Sequence, residues 1–164
     1  MESRVKLLGH PVHQMLIPLP AGLFIMGALL DIAGLFSSAP WIPTVSYWNI
    51  GLGVLSGALA ALFGWADWSK IPGDTRARRV GLLHGIGNGI ALVLFAAAFL
   101  MRTQVTGHHP CPGALATEVF SMLLLGVTAW LGGELVDRLG VGVDAGAHLN
   151  APSSLREKHV RLRP

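Results

Sequence analysis

The stretch DWSKIPGDTRARRVGLLH (Asp67–His84) decides how the rest of the chain is read. It separates two long apolar runs and carries Lys70, Arg76, Arg78 and Arg79, four of the twelve basic residues. Pro72-Gly73 within it is a turn signal, because proline fixes one backbone angle and glycine accepts the unusual angles a tight reversal demands. If the flanking runs cross a bilayer, this basic loop selects the side that faces the cytoplasm, where short loops rich in Lys and Arg accumulate.

The composition supports that premise. Of 164 residues, 52% are hydrophobic and only 13% charged, about half the charged share of an ordinary soluble domain. The mean hydropathy is +0.55. Four charge-poor runs approach the roughly 20 residues needed to cross about 30 Å of hydrocarbon. The first is expected from Met15 to Phe36, with Pro18 and Pro20 at its start, where a missing N–H costs least. Asp31 near its far end is placed to reach the interface or to pair within the bundle. Ser37 to Pro43 reads as a loop, with Trp41, Tyr47 and Trp48 as an interfacial aromatic belt. The second run is expected from Trp48 to Trp68, with Gly51, Gly53, Gly57 and Gly64 as close-packing surfaces. The third covers Val80 to Met101, where Gly81, Gly85 and Gly89 recur every four residues on one helix face. Arg102 and His108-His109-Pro110-Cys111-Pro112 form its exit loop. The fourth, Leu115 to Val136, opens through Glu118 and closes through Gly132-Gly133-Glu134.

The chain is thus expected to be an all-α integral membrane protein, a bundle of four transmembrane helices. Its divisions are an N-terminal segment over 1–14, the membrane domain over 15–136 and a mobile polar tail over 137–164. Eleven of the twelve Lys and Arg fall in the N-terminus, the central loop and the tail, against Arg102 alone in the opposite loops. That bias places both termini in the cytoplasm. The first run is too long for a cleaved signal peptide. The net charge of +3 does not make a nucleic-acid surface, since the basic residues flank apolar runs. Cys111 is the single cysteine, so no intrachain disulfide is available.

An even number of spans collects His10, His13, Asp67, His84, Glu134 and Asp137 at the cytoplasmic face. Ionisable groups at a membrane edge usually have a partner or a role, and imidazole with carboxylate suits a transition metal. His10, His13, His84, Asp67 and Glu134 are therefore the candidate metal ligands. A b-type haem held by His84 with His10 or His13 is the other cofactor form. The structural alternatives remain beside these. His10 and His13 also suit a helix start, His84 suits a bond to Asp67 or Glu134, and Asp67 suits a pair with Arg76 or Arg79. His108, His109 and Cys111 form a weaker soft-metal candidate. No nucleophile elbow, Walker loop, dinucleotide fingerprint or zincin helix is present.

Three separated motifs carry a resemblance. They are Gly9-His10-Pro11-Val12-His13, the run Ile71 to Asn88, and Trp130 to Val136 followed by Gly140-Val141-Gly142-Val143. Together they resemble the bacterial membrane-protein family catalogued as domain of unknown function 2231, over about residues 8 to 145. The chain departs from the family's usual pattern at Gln14, where a proline is common. It departs again at Asp137 and Leu139, where tyrosine and histidine often flank the arginine. Some members resemble fusions to Rieske iron–sulfur domains, which implies membrane electron transfer; one cysteine cannot build that cluster here.

Three function classes are compatible with these residues. The leading expectation is a redox-linked protein or subunit of the bacterial inner membrane, with haem b or a transition metal at its cytoplasmic end. Its partners would be the lipid bilayer and a redox protein or a second copy. The second is a non-catalytic scaffold or accessory protein whose polar cluster is structural. The third, a small transporter, needs a polar path across the bilayer, for which Asp31, Asn88 and Asp67 are the sparse candidates.

Overall fold

A computed structural model describes residues 1–156; Lys158, Arg161 and Arg163 of the basic tail lie outside the described residues. A two-residue hairpin pairs β1 (Lys6–Leu7) with β2 (His10–Pro11). The helices are α1 (Val12–Leu16), α2 (Pro18–Gly34), α3 (Trp41–Trp68), α4 (Arg76–Arg102) and α5 (Pro112–Gly133). Four spans are long and apolar enough to cross a membrane, at Val12–Gly34, Trp41–Trp68, Arg76–Arg102 and Pro112–Arg138. The protein is a four-span helical bundle. We call the end holding the N-terminus and the Ser69–Thr75 turn the terminal end, and the other the far end.

Each span is longer than the apolar run that announces it. The first begins at Val12 rather than Met15, because α1 runs into α2 with only Pro18 interrupting the ladder; the Ile17 N–H still reaches the His13 carbonyl at 3.2 Å. Helix α3 starts at Trp41, seven residues before the expected boundary. Pro40 and Pro43 sit in its first turn, where backbone N–H groups have no helical partner anyway. Its 28 residues extend about 42 Å at 1.5 Å per residue, more than the hydrocarbon requires. Thr75 caps α4 by accepting from the Arg78 N–H at 3.1 Å.

The expected mobile tail is in part held. After α5, Glu134–Arg138 forms a π turn in which the Leu139 N–H reaches the Glu134 carbonyl at 3.1 Å. The chain then returns to the N-terminus. The Met1 ammonium donates to the Gly140 carbonyl at 2.6 Å, and the Gly142 N–H to the Met1 carbonyl at 2.8 Å.

The buried positions recur every seven residues. They are Phe24 and Asp31 on α2, then Ser46, Gly53 and Ala60 on α3. On α4, Gly81, Phe95 and Arg102 keep the same step, with Asn88 partly buried between them. On α5 and its extension the series is Ala114, Ser121, Thr128 and Leu135. A seven-residue seam is the pattern of gently supercoiled neighbours. Midway along it Phe24 and Phe95 stack with ring centroids 4.1 Å apart, beside Ile50.

Glycine lets this layer close. A Cβ on Gly53 would stand 2.7 Å from the Phe24 ring, and one on Gly51 2.6 Å from Phe99. The expected Gly81–Gly85–Gly89 packing face is corrected. Gly81 meets Trp68, but Gly85 and Gly89 have nothing within 4 Å of an added Cβ. A four-residue step drifts off a seam that keeps a seven-residue one, so those two leave the interface. The odd member is Gly87, whose added Cβ would meet Thr128 at 2.5 Å.

Candidate functional site

Two polar clusters stand at opposite ends of the bundle, separated by the Phe24–Phe95 layer. At the terminal end, every candidate ligand has a protein partner. His13 lies on α1 and places its Nδ1 2.8 Å from the Ala60 carbonyl of α3. A carbonyl only accepts, so Nδ1 carries the hydrogen. His84 does the same across α4 and α5, with Nδ1 2.8 Å from the Thr128 carbonyl. Its Nε2 then accepts from the Asn88 amide at 3.2 Å, and the Thr128 hydroxyl lies 3.0 Å from the Asn88 carbonyl oxygen. Both rings fill glycine gaps, since an added Cβ on Gly64 would stand 2.7 Å from His13 and one on Gly132 3.2 Å from His84.

The other three candidates point elsewhere. His10 lies on β2, off any helical turn with His13, and its Nε2 is 3.4 Å from the Ser154 hydroxyl in an exposed position. Asp67 accepts from the Ser3 hydroxyl at 2.7 Å and from the Arg4 N–H at 2.6 Å, rather than pairing with Arg76 or Arg79. Glu134 pairs with Arg76 at 2.8 Å. Among the described residues no group of three His, Cys, Asp or Glu side chains is arranged to hold a metal ion. Arg78 serves the turn itself. Its guanidinium lies 3.5 Å over the Trp68 ring and donates to the Trp68 carbonyl at 2.6 Å.

The far end holds a cluster that sequence reasoning missed. Arg102 is not a loop residue; it ends α4 with its side chain fully buried. It grips Asp31 with two nitrogens, Nη1 to Oδ2 at 2.6 Å and Nη2 to Oδ1 at 3.1 Å. Nη1 also donates to Glu118 Oε1 at 3.0 Å, Nη2 to the Pro43 carbonyl at 3.0 Å, and Nε to the His108 carbonyl at 2.8 Å. The Ser46 hydroxyl donates to Asp31 Oδ2 and lies 3.3 Å from Nη1. Residues of all four spans meet here. Tyr47 is buried beside them rather than in the aromatic belt, stacked on Phe99 and on His108 with centroids 4.3 and 3.9 Å apart. Trp41 and Trp48 are exposed, as a belt requires.

His108 therefore acts as a lid on this cluster, its Nδ1 3.1 Å from the Arg102 carbonyl. Cys111 caps α5, with its sulfur 3.4 Å from the Ala114 N–H. The signal that would have found the cluster is the seven-residue step itself. It joins Asn88, Phe95 and Arg102 on α4 and Phe24 and Asp31 on α2, so each charge continues a core seam.

The family model described as "Predicted membrane protein (DUF2231)" matches residues 9–145. The chain belongs to this family. No curated protein and no solved structure matches it. Membership of DUF2231 agrees with the four spans and reaches from the β hairpin to the turn that meets Met1.

Proposed function

We propose that this DUF2231 protein is a membrane-embedded scaffold or accessory subunit, whose polar side chains hold its own helices in register. One observation carries the reading. His13, His84, Asp67 and Glu134 are each joined to a protein group on another element, and His84 with Asn88 and Thr128 forms a closed hydrogen-bonded set between α4 and α5. The bilayer supplies its surroundings, and a second copy or a larger membrane assembly its partner. We place it in the bacterial inner membrane with both termini cytoplasmic. The burial of Arg102 supports that orientation, because a buried, ion-paired arginine is no loop charge at all.

A redox-linked role is the second reading, favoured by one detail of the same geometry. His13 and His84 both donate from Nδ1 to a backbone carbonyl, which leaves Nε2 as the basic nitrogen. Histidines that ligate metals are commonly oriented in this way. The cofactor would be haem b or a transition metal on His13 and His84, with His10, Asp67 and Glu134 turning inward from their present partners. The transporter reading would require the Phe24–Phe95 layer to open, since it separates the two polar clusters.

Spectra of the detergent-purified chain, as isolated and after dithionite, together with its metal content, decide between the first two. A scaffold gives a featureless visible spectrum and no stoichiometric metal, and His84→Ala lowers its melting temperature. A Soret band or bound metal lost in His84→Ala overturns the scaffold reading in favour of the redox one. Crosslinking in native membranes should then capture a larger adduct; a chain that remains monomeric there also sinks the scaffold.

A further inference from the structure

The far-end cluster contains more acceptors than its cation can satisfy. Arg102 has five N–H groups in a fixed fork. Asp31 takes two of them, and Glu118 Oε1, the Pro43 carbonyl and the His108 carbonyl take the others. The Ser46 hydroxyl has one hydrogen, directed to Asp31 or to the Gly27 carbonyl at 3.0 Å. Nothing remains for Glu118 Oε2, which is buried and finds no hydrogen-bond donor among the described residues. The Glu118 side chain is fully buried, and its carboxyl lies within hydrogen-bonding reach of the Asp31 carboxyl.

Two ionised carboxylates are both acceptors, so their approach is attractive only with a proton between them. Charge counting gives the same answer. One guanidinium against two carboxylates leaves a net negative charge in a site without solvent, which is costly to bury. The surroundings offer no second cation. The groups facing Glu118 are Asp31 from α2, Ser46 and Tyr47 from α3, Arg102 from α4, Ser121 from α5 and His108 from the lid. Of these Arg102 alone carries a permanent positive charge. His108 is turned away, stacked flat on Tyr47.

We propose that this cluster is a proton-binding site, in which one proton held by the Glu118 carboxyl bridges to Asp31 while Asp31 and Arg102 remain an ion pair. The proton is enclosed by two aromatic layers. The His108–Tyr47 stack covers it at the far end. The Phe24–Phe95 stack lies two turns below on the same seams, roughly 10 Å away at 1.5 Å per residue. The inference is independent of whether the terminal end binds a cofactor.

Infrared difference spectroscopy of the full chain reconstituted in lipid tests it, through the carbonyl stretch of a protonated carboxylic acid and its shift in D₂O. At neutral pH the wild-type chain should show that band. Glu118→Gln should abolish it, because an amide donates to Asp31 without needing a proton. Asp31→Asn should abolish it as well, since Glu118 then becomes the single counter-ion of Arg102. Either variant suffices if the other does not fold. A wild-type chain without the band overturns the proposal with no variant needed. A band that survives in either folded variant overturns it too, because the proton then resides elsewhere.

Discussion

The two ends of the bundle use charge in opposite ways. The terminal end holds most of the ionisable residues, and each is settled by a local partner at the surface or half-buried, as Asp67 is by Ser3 and Arg4 and Glu134 by Arg76. The far end has very few, yet Arg102, Asp31 and Glu118 are removed from water altogether. Abundance of charge is thus a poor guide to its energetic weight. A crowded end relaxes into separate pairs, whereas a sparse buried one leaves each group dependent on the others.

The largest effect should come from breaking the sparse end. Arg102→Met removes the cation from two buried carboxyl groups, and losing one partner of a buried ion pair costs about 3–5 kcal/mol. Thermal unfolding in detergent measures it, and a loss below about 1 kcal/mol would erase the contrast, since that is the range of exposed pairs. His84→Ala at the terminal end should cost less, about 0.6–1.7 kcal/mol, the range of interhelical hydrogen bonds within membranes. The same melt should rank it between Arg102→Met and the surface variants.

Smaller still is Arg76→Gln. The arginine is 56% exposed, so the pair is worth at most about 1 kcal/mol and should fade in high salt. A loss unaffected by salt would show this end to be drier than its geometry implies. The least effect belongs to Lys6 and Glu2, joined at 2.8 Å. The hydrogen bond from Lys6 holds the Glu2 carboxyl below its ordinary value of 4.5. Its contribution is therefore present above that value and is lost as the pH falls through the lowered one. A melt followed into acid should show a slight loss there, absent in Glu2→Gln.

The four spans were legible because each run lacks charge over a length that only a membrane or a large core explains. Their boundaries were not. Pro40 and Pro43 look like a loop in sequence, but in a first turn they break no hydrogen bond, and α3 runs through them. Among the candidate ligands, sequence position brought His13 and His84 to the correct end and could not reveal their direction. Each ring turns toward a backbone carbonyl across a glycine, Gly64 for His13 and Gly132 for His84. Such acceptors carry no sequence signature, since every residue has one. Arg102 was hidden for a different reason: a basic residue at the end of an apolar run looks like an interface anchor. Only its seven-residue step from Phe95 tells that it faces inward.

The π turn at Glu134–Arg138 gives the chain's length a meaning of its own. It holds one residue more than an α-helix would need to cover the same rise. Deleting Val136 would let the ordinary ladder close and would swing everything after it by about 100°, the angle of one helical residue. Gly140 and Gly142 would turn away from Met1, and the two ends of the chain would part. At this point the loss of one codon is a heavier lesion than any exchange of side chain.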